Sequence, residues 1–155
     1  GTAVAIGGEG VLLLGPSGAG KSDLALRLID DGAILIADDC VEYARVGSIL
    51  RLSPPSSIAG IMEIHGIGLL RMPHCEGVAL RLVVDCTQTP LERLPESQEF
   101  RQESLGVPRI ALHPFHASAP AKIRLYMKAL ERGEALPADW FAQKGNSADA
   151  EKQQN

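Results

Sequence analysis

Short apolar runs, broken by glycine, proline and polar pairs, fill the first half of the chain. Thr2-Ala3-Val4-Ala5-Ile6 and Val11-Leu12-Leu13-Leu14 flank Gly7-Gly8-Glu9-Gly10, which predicts two strands joined by a tight glycine turn. After Lys21 the period changes. Leu24, Ala25, Leu28 and Ile29 fall on one face, predicting a helix from about Lys21 to Asp31 that stops at Gly32, a favoured C-terminal cap. Ala33-Ile34-Leu35-Ile36-Ala37 then reads as a short buried strand ending in Asp38-Asp39. The runs from Val41 to Arg45 and from Ser48 to Leu52 flank Val46-Gly47 and predict a second hairpin.

A serine- and proline-rich loop from Ser53 to Ser57 follows, and strand signals return at Leu69 to Met72, Val78 to Val84 and Val107 to Leu112. Residues 87 to 106 read as irregular. Ser118-Ala119-Pro120 predicts a helix start, with serine as N-cap and proline in the first turn, and the helix runs through Leu130. Beyond Gly133 no regular structure is expected, although Trp140-Phe141 are apolar enough to pack back on the core.

Composition narrows the possibilities. A chain of 155 residues with 45% hydrophobic side chains can bury one proper core, so a single domain over 1–133 and a polar, partly flexible tail over 134–155 are expected. A net charge of −4 with no run of lysine or arginine argues against a nucleic-acid partner. No apolar stretch approaches the roughly 20 residues that cross a bilayer, and the N-terminus does not read as a signal peptide, so a cytoplasmic protein without a membrane partner is expected. Cys40, Cys75 and Cys86 show no C-x-x-C spacing and read as free thiols.

Between the first hairpin and the first helix lies Gly15-Pro16-Ser17-Gly18-Ala19-Gly20-Lys21-Ser22, which fills every position of the phosphate-loop pattern G-x-x-x-x-G-K-[ST]. Its glycines let backbone N–H groups curl around phosphate oxygens, and the helix that follows aims its positive dipole end at them. Lys21 adds a point charge and Ser22 offers a hydroxyl to magnesium. A nucleoside triphosphate is the expected ligand. Entry through an antiparallel hairpin differs from the parallel βαβ start of most small nucleotide kinases.

Phosphoryl transfer to a hydroxyl also needs a carboxylate that takes its proton and acids near the metal. Asp38 and Asp39 end a buried strand after the phosphate loop, where α/β proteins place such groups, and adjacent acids on an extended chain project in different directions. Asp85, closing Leu82-Val83-Val84, is a second candidate for the metal. Glu63, among Met62, Ile64 and Ile67, is either the exposed side of a strand or a ligand turned into the site; the residues alone favour the former. His113 and His116 read as surface residues, and Arg109, Lys122 and Arg124 as solvated charges able to meet a phosphate.

The order of hairpin, Gly15 to Ser22, Ala37-Asp38-Asp39 and Glu63-Ile64-His65-Gly66-Ile67-Gly68 resembles the catalytic domain of bacterial HPr kinase/phosphorylase over about residues 1 to 130. The short length is similar to family members made of that C-terminal domain alone. The resemblance implies a phosphate-loop α/β fold akin to the nucleotide domain of phosphoenolpyruvate carboxykinase, with a mixed sheet and a β-hairpin entering the loop. It implies ATP and Mg2+ as cofactors, the serine of the phosphocarrier HPr as acceptor, dephosphorylation by inorganic phosphate with release of pyrophosphate, and homo-hexamers. Carried over by position, Asp38 deprotonates the serine, Asp39 supports the site and its metal, Lys21 contacts the phosphates, and Ser22 and Glu63 hold magnesium. His65 stands where the family usually has arginine, and His113-Pro114-Phe115-His116 replaces a glycine-rich basic loop. A small-metabolite kinase of the shikimate or gluconate type, and a nucleotide switch without phosphotransfer, are the competing readings.

Overall fold

The computed structural model describes residues 1–145. Strand β1 (Thr2–Ile6) pairs antiparallel with β2 (Glu9–Leu14) through a turn in which Gly7 and Gly8 have φ of 57° and 81°. Positive φ at both central residues gives the turn a twist that matches the flanking strands, and glycine adopts it without a Cβ penalty. The expected hairpin is present, with a turn two residues shorter than the glycine run suggests.

Helix α1 (Lys21–Asp30) buries Leu24, Ala25 and Leu28. It ends in a paired cap: Gly32 N–H donates to Ile29 O at 3.0 Å and Ala33 N–H to Leu28 O at 3.0 Å, with Gly32 at φ 107°. Strand β3 (Ile34–Ala37) returns beside β1, and β4 (Glu42–Val46) and β5 (Ile49–Ser53) form the second hairpin, one residue later than the sequence suggests. A 3₁₀ turn (Ser56–Ile58) leads to β6 (Ile61–Ile64) and β7 (Gly68–Arg71), which make a separate two-stranded sheet. Strands β8 (Val78–Cys86), β9 (Gln98–Gln102) and β10 (Leu105–Leu112) and helix α2 (Ala119–Arg132) complete the chain to Gly133.

The main sheet runs β3-β1-β2-β8-β10-β9, with the β4–β5 hairpin attached through β5 to β8. Strand β8 is parallel to both β2 and β10, whereas β1 is antiparallel to β2 and to β3. The C-terminal ends of β3, β2, β8 and β10 therefore meet at one edge of the sheet, the edge where open α/β sheets bind ligands.

Both faces of the sheet are covered, so the central strands carry unbroken apolar runs, Val11 to Leu14 in β2 and Leu82 to Val84 in β8, instead of alternating. Val11, Leu13, Leu82 and Val84 face the helices with Leu24, Leu28, Ile123 and Met127, joined by Met62 and Ile64 of the small sheet. Leu12, Ile36, Leu80 and Val83 face the other way, against Leu50 and Leu52 of the second hairpin.

Residues 87 to 106 are not wholly irregular, because β9 forms there. It is a polar edge strand, Gln-Glu-Phe-Arg-Gln, in which only Phe100 packs on the core, and its turn to β10 uses Glu103 and Ser104 at φ 52° and 64°. Neither an alternating pattern nor a turn glycine announces it. Ser118 stands at the N-cap of α2 as expected, but its side chain makes no capping bond, since its backbone is already helical at φ −80°, ψ −6°. Residues 140–145 are helical, and the Trp140 and Phe141 rings pack edge-on against each other at 5.2 Å, away from the core. The part of the expected tail from 146 on lies outside the described residues.

Leu13 is fully buried between β1 and β8 and leads into the phosphate loop. Leu13→Ala is expected to destabilise the fold by about 2–5 kcal/mol in denaturant titration; a loss below about 1 kcal/mol would show that this strand is not a rigid support for the loop.

Candidate active site

The loop Gly15 to Ser22 connects the end of β2 to α1 as the sequence predicts. Gly15 needs to be glycine for lack of space: a Cβ there would lie 2.9 Å from Cys86 O at the end of β8. Gly20, at φ 100°, caps α1. The first N–H groups of the helix have no intrahelical acceptor and face the loop's mouth. Lys21 Nζ turns back over that mouth, donating to the carbonyl of Gly15 and, at 3.1 Å, to that of Pro16, which holds its charge at the loop.

The acid pair at the end of β3 is brought to the same place. Ser22 Oγ donates to Asp38 Oδ1 at 2.7 Å, and Thr2 Oγ1 donates to the same oxygen at 3.1 Å. Thr2 is completely buried, and its hydroxyl also accepts the Asp39 N–H at 3.4 Å. It is a positioning residue that the sequence reading missed. A polar residue opening a strand carries no signal until the strand order puts it beside the acids.

Asp39 is exposed, and no hydrogen bond or ion pair holds its carboxylate among the described residues. Its backbone is unusual, with φ 66° and a bond from Cys40 N–H to Asp38 O of 2.8 Å. That closes a γ-turn on a non-glycine residue, a conformation that costs of order 1–3 kcal/mol and clusters at functional sites. The turn points the two carboxylates in different directions. Asp38 is held against Ser22 while Asp39 projects outward.

The other sequence candidates fall into three groups. Asp85 stands one residue before the end of β8, paired with Leu14 next to the loop, but Arg109 binds it through Nε at 2.5 Å and Nη2 at 2.8 Å, with Phe100 5.9 Å from the guanidinium. The Asp85 hydrogen bond holds Arg109 still more firmly protonated than usual. Neither partner is then a free charge. Arg124 pairs with Asp31 at 2.5 Å and joins α2 to α1, whereas Lys122 is exposed without a partner among the described residues.

Glu63 is exposed on β6, opposite in phase to buried Met62 and Ile64, and His65 is exposed beyond it. Among the described residues no set of three or more His, Cys, Asp or Glu converges as a metal cage. Ser22 and Asp38 nevertheless offer two hard oxygen donors at the loop. Magnesium is commonly held by one or two carboxylates, waters and substrate phosphates instead of an all-protein cage, so this donor set fits it.

The loop after β10 closes the other side. His113 Nδ1 lies 2.8 Å from Thr87 O, the His113 and His116 rings are 4.6 Å apart, and Arg27 of α1 donates to the carbonyl of Pro114 and, at 3.2 Å, to that of His116. Pro114 is buried and Phe115 exposed against the phosphate loop. The His113 ring thus ties this loop to Thr87 just beyond β8, and among the described residues neither histidine belongs to a metal-ligand cluster.

Comparison with known proteins gives a consistent set of relatives. The family model of the HPr Serine kinase C-terminal domain matches residues 1–93. An HPr kinase/phosphorylase of Aromatoleum aromaticum is 40% identical over 143 residues, covering 83% of this chain and 45% of that protein. One from Caldicellulosiruptor bescii is 48% identical over 79 residues, covering 50% of this chain and 25% of that protein. The chain thus spans less than half the length of these relatives. Among solved structures, the Hpr(Ser) kinase/phosphatase from Coxiella burnetii superposes with a TM-score of 0.72 at 25% identity, covering 84% of this chain and 95% of that one. No helix among the described residues is long and apolar enough to cross a membrane.

Cys86, whose carbonyl abuts Gly15, reports on the state of the loop. Burial pushes its thiol from 9.0 up to about 11, with Lys21 and Arg27 pulling against the rise and Asp85 adding to it. Because the folded value is the higher one, the stabilisation is present below about pH 9 and is lost as pH rises through about 11. Denaturation across this range is expected to show that alkaline loss, and Cys86→Ala to reduce it, the rest coming from Cys75, whose thiol burial also pushes up. In the native protein at about pH 8 a thiol reagent is expected to modify exposed Cys40 and spare Cys86.

Proposed function

Because the chain belongs to the HPr serine kinase C-terminal domain family, we propose that it transfers the γ-phosphoryl group of ATP to a serine hydroxyl of HPr. In the reverse direction inorganic phosphate takes the phosphoryl group from phosphoserine, leaving as pyrophosphate and restoring the hydroxyl. The observation that carries this reading is the 2.7 Å bond from Ser22 to Asp38, which couples a phosphate cradle to a pair of carboxylates at one sheet edge.

In this reading the backbone N–H groups from Gly15 to Ser22 hold the phosphates, and Lys21 Nζ leaves the Gly15 and Pro16 carbonyls to meet their oxygens. Magnesium, when bound, neutralises charge on the phosphates as transfer proceeds. Ser22 and Asp38 would supply its protein oxygens, with Glu63, exposed on β6, as the further ligand that the resemblance implies.

Position in the motif, by resemblance, makes Asp38 the proton acceptor. The geometry favours the opposite division of labour. Asp38 Oδ1 already accepts from Ser22 and Thr2, which suits the metal side, while the Asp39 carboxylate is free to take the serine proton and to return it in the reverse reaction.

With γ-labelled ATP, magnesium and HPr, the chain is expected to place label on HPr as alkali-labile, acid-stable phosphoserine, and to release pyrophosphate from phospho-HPr and inorganic phosphate. Label passing to shikimate or a sugar, or no transfer at all, overturns the proposal. Asp39→Asn is expected to lower transfer at least about 100-fold with ATP binding retained. Asp38→Asn should raise the magnesium requirement about tenfold or more. The reverse pattern in the two variants would return the proton to Asp38.

A further inference from the structure

The mouth of the phosphate loop has two unlike walls. On the β3 side stand Asp38 and Asp39, one bound to Ser22 and the other open to solvent. On the β10 side stand Pro114 and Phe115, in a segment from His113 to Ser118 that carries no carboxylate. A Cβ on Gly20 would meet Phe115 Cζ at 2.8 Å and Pro114 Cγ at 2.9 Å, so the ring edge lies directly against the loop backbone.

Phe115 is nevertheless 57% exposed. It contributes little to the core, and an apolar ring left half in water beside an anion cradle calls for another partner. The backbone that carries the ring is also held in place. Arg27 grips the carbonyls on either side of it, at Pro114 and His116, and the His113 ring is bonded to Thr87 O at 2.8 Å. A planar apolar surface fixed this way needs little further ordering to bind a planar ligand.

A nucleoside triphosphate has a charged end and an aromatic end. Its phosphates are drawn to the N–H groups and Lys21, and the metal that accompanies them suits the acidic wall. The base has no such attraction to carboxylates and gains from an aromatic face. Resting on the phosphate-loop reading above, we infer that Phe115 stacks on the base of the bound nucleotide and makes the site prefer a nucleotide to a bare polyphosphate.

Binding of ATP and of inorganic tripolyphosphate, each with magnesium, tests this directly. Phe115→Ala is expected to weaken ATP binding about five- to hundredfold while leaving tripolyphosphate unchanged, and Phe115→Trp to retain ATP affinity. Equal weakening of both ligands would show that the ring only supports the loop, and it overturns the inference. So does unchanged ATP affinity with a raised KM for HPr, which would make Phe115 a contact for the protein substrate. If the unsubstituted chain binds both ligands equally well, the base reading fails and the phosphate-loop reading stands; if it binds neither, both fail.

Discussion

The bond from Ser22 Oγ to Asp38 Oδ1 is the point at which distant parts of the chain become one site. It joins the first turn of α1 to the end of β3 and, through Thr2, to the start of β1. Hydrogen bonds to a charged acceptor are worth about 1.5–3 kcal/mol when partly shielded, and two hydroxyls on one carboxylate oxygen fix its direction as well as its place. The γ-turn at Asp39 follows from the same anchoring, since the chain must turn sharply to hold Asp38 inward and still leave the sheet. Strain at Asp39 is thus maintained by contacts around it.

That anchoring depends on strand direction. Because β1 runs antiparallel between β2 and β3, the latter two point the same way and end at one edge on either side of Thr2, with the phosphate loop leaving β2 next to the end of β8. The hairpin entry is what makes this possible. A two-glycine turn adds β1 ahead of the β2–α1–β3 crossover, lays it between those two parallel strands and places the Thr2 hydroxyl within reach of the acids.

Charge around the edge is divided with equal economy. Asp85 is the acid closest to the loop along β8, yet Arg109 neutralises it with two short bonds, so it adds no net repulsion toward a phosphate. Arg27 spends its donors on the loop that carries Phe115 and on Asp23, four residues before it. Lys21 holds its charge over the cradle, on the carbonyls of Gly15 and Pro16. The negative charge that remains at the site is concentrated on the Asp38–Asp39 side, which gives the mouth its polarity.

Much of this is legible in the residues taken in order. The phosphate loop, its strand and helix, the two hairpins and the acid pair are local features, carried by glycine spacing, helical period and short apolar runs within a few residues of each other. What escaped reading was non-local or weakly marked. Strand β9 is a polar edge strand whose turn, Glu103-Ser104, lacks the residues that usually adopt positive φ. The Asp85–Arg109 pair and the buried Thr2 hydroxyl arise only when strands pair, and the placement of Phe115 against Gly20 needs β10 to end at the same edge as β2. The amino-acid sequence by itself determined the chemistry on offer: an anion cradle, a lysine, a serine and two adjacent carboxylates. Tertiary structure decided which carboxylate lies against the serine, which acid is neutralised and which wall is aromatic, because those depend on strand order and direction, and chain-local patterns do not encode them.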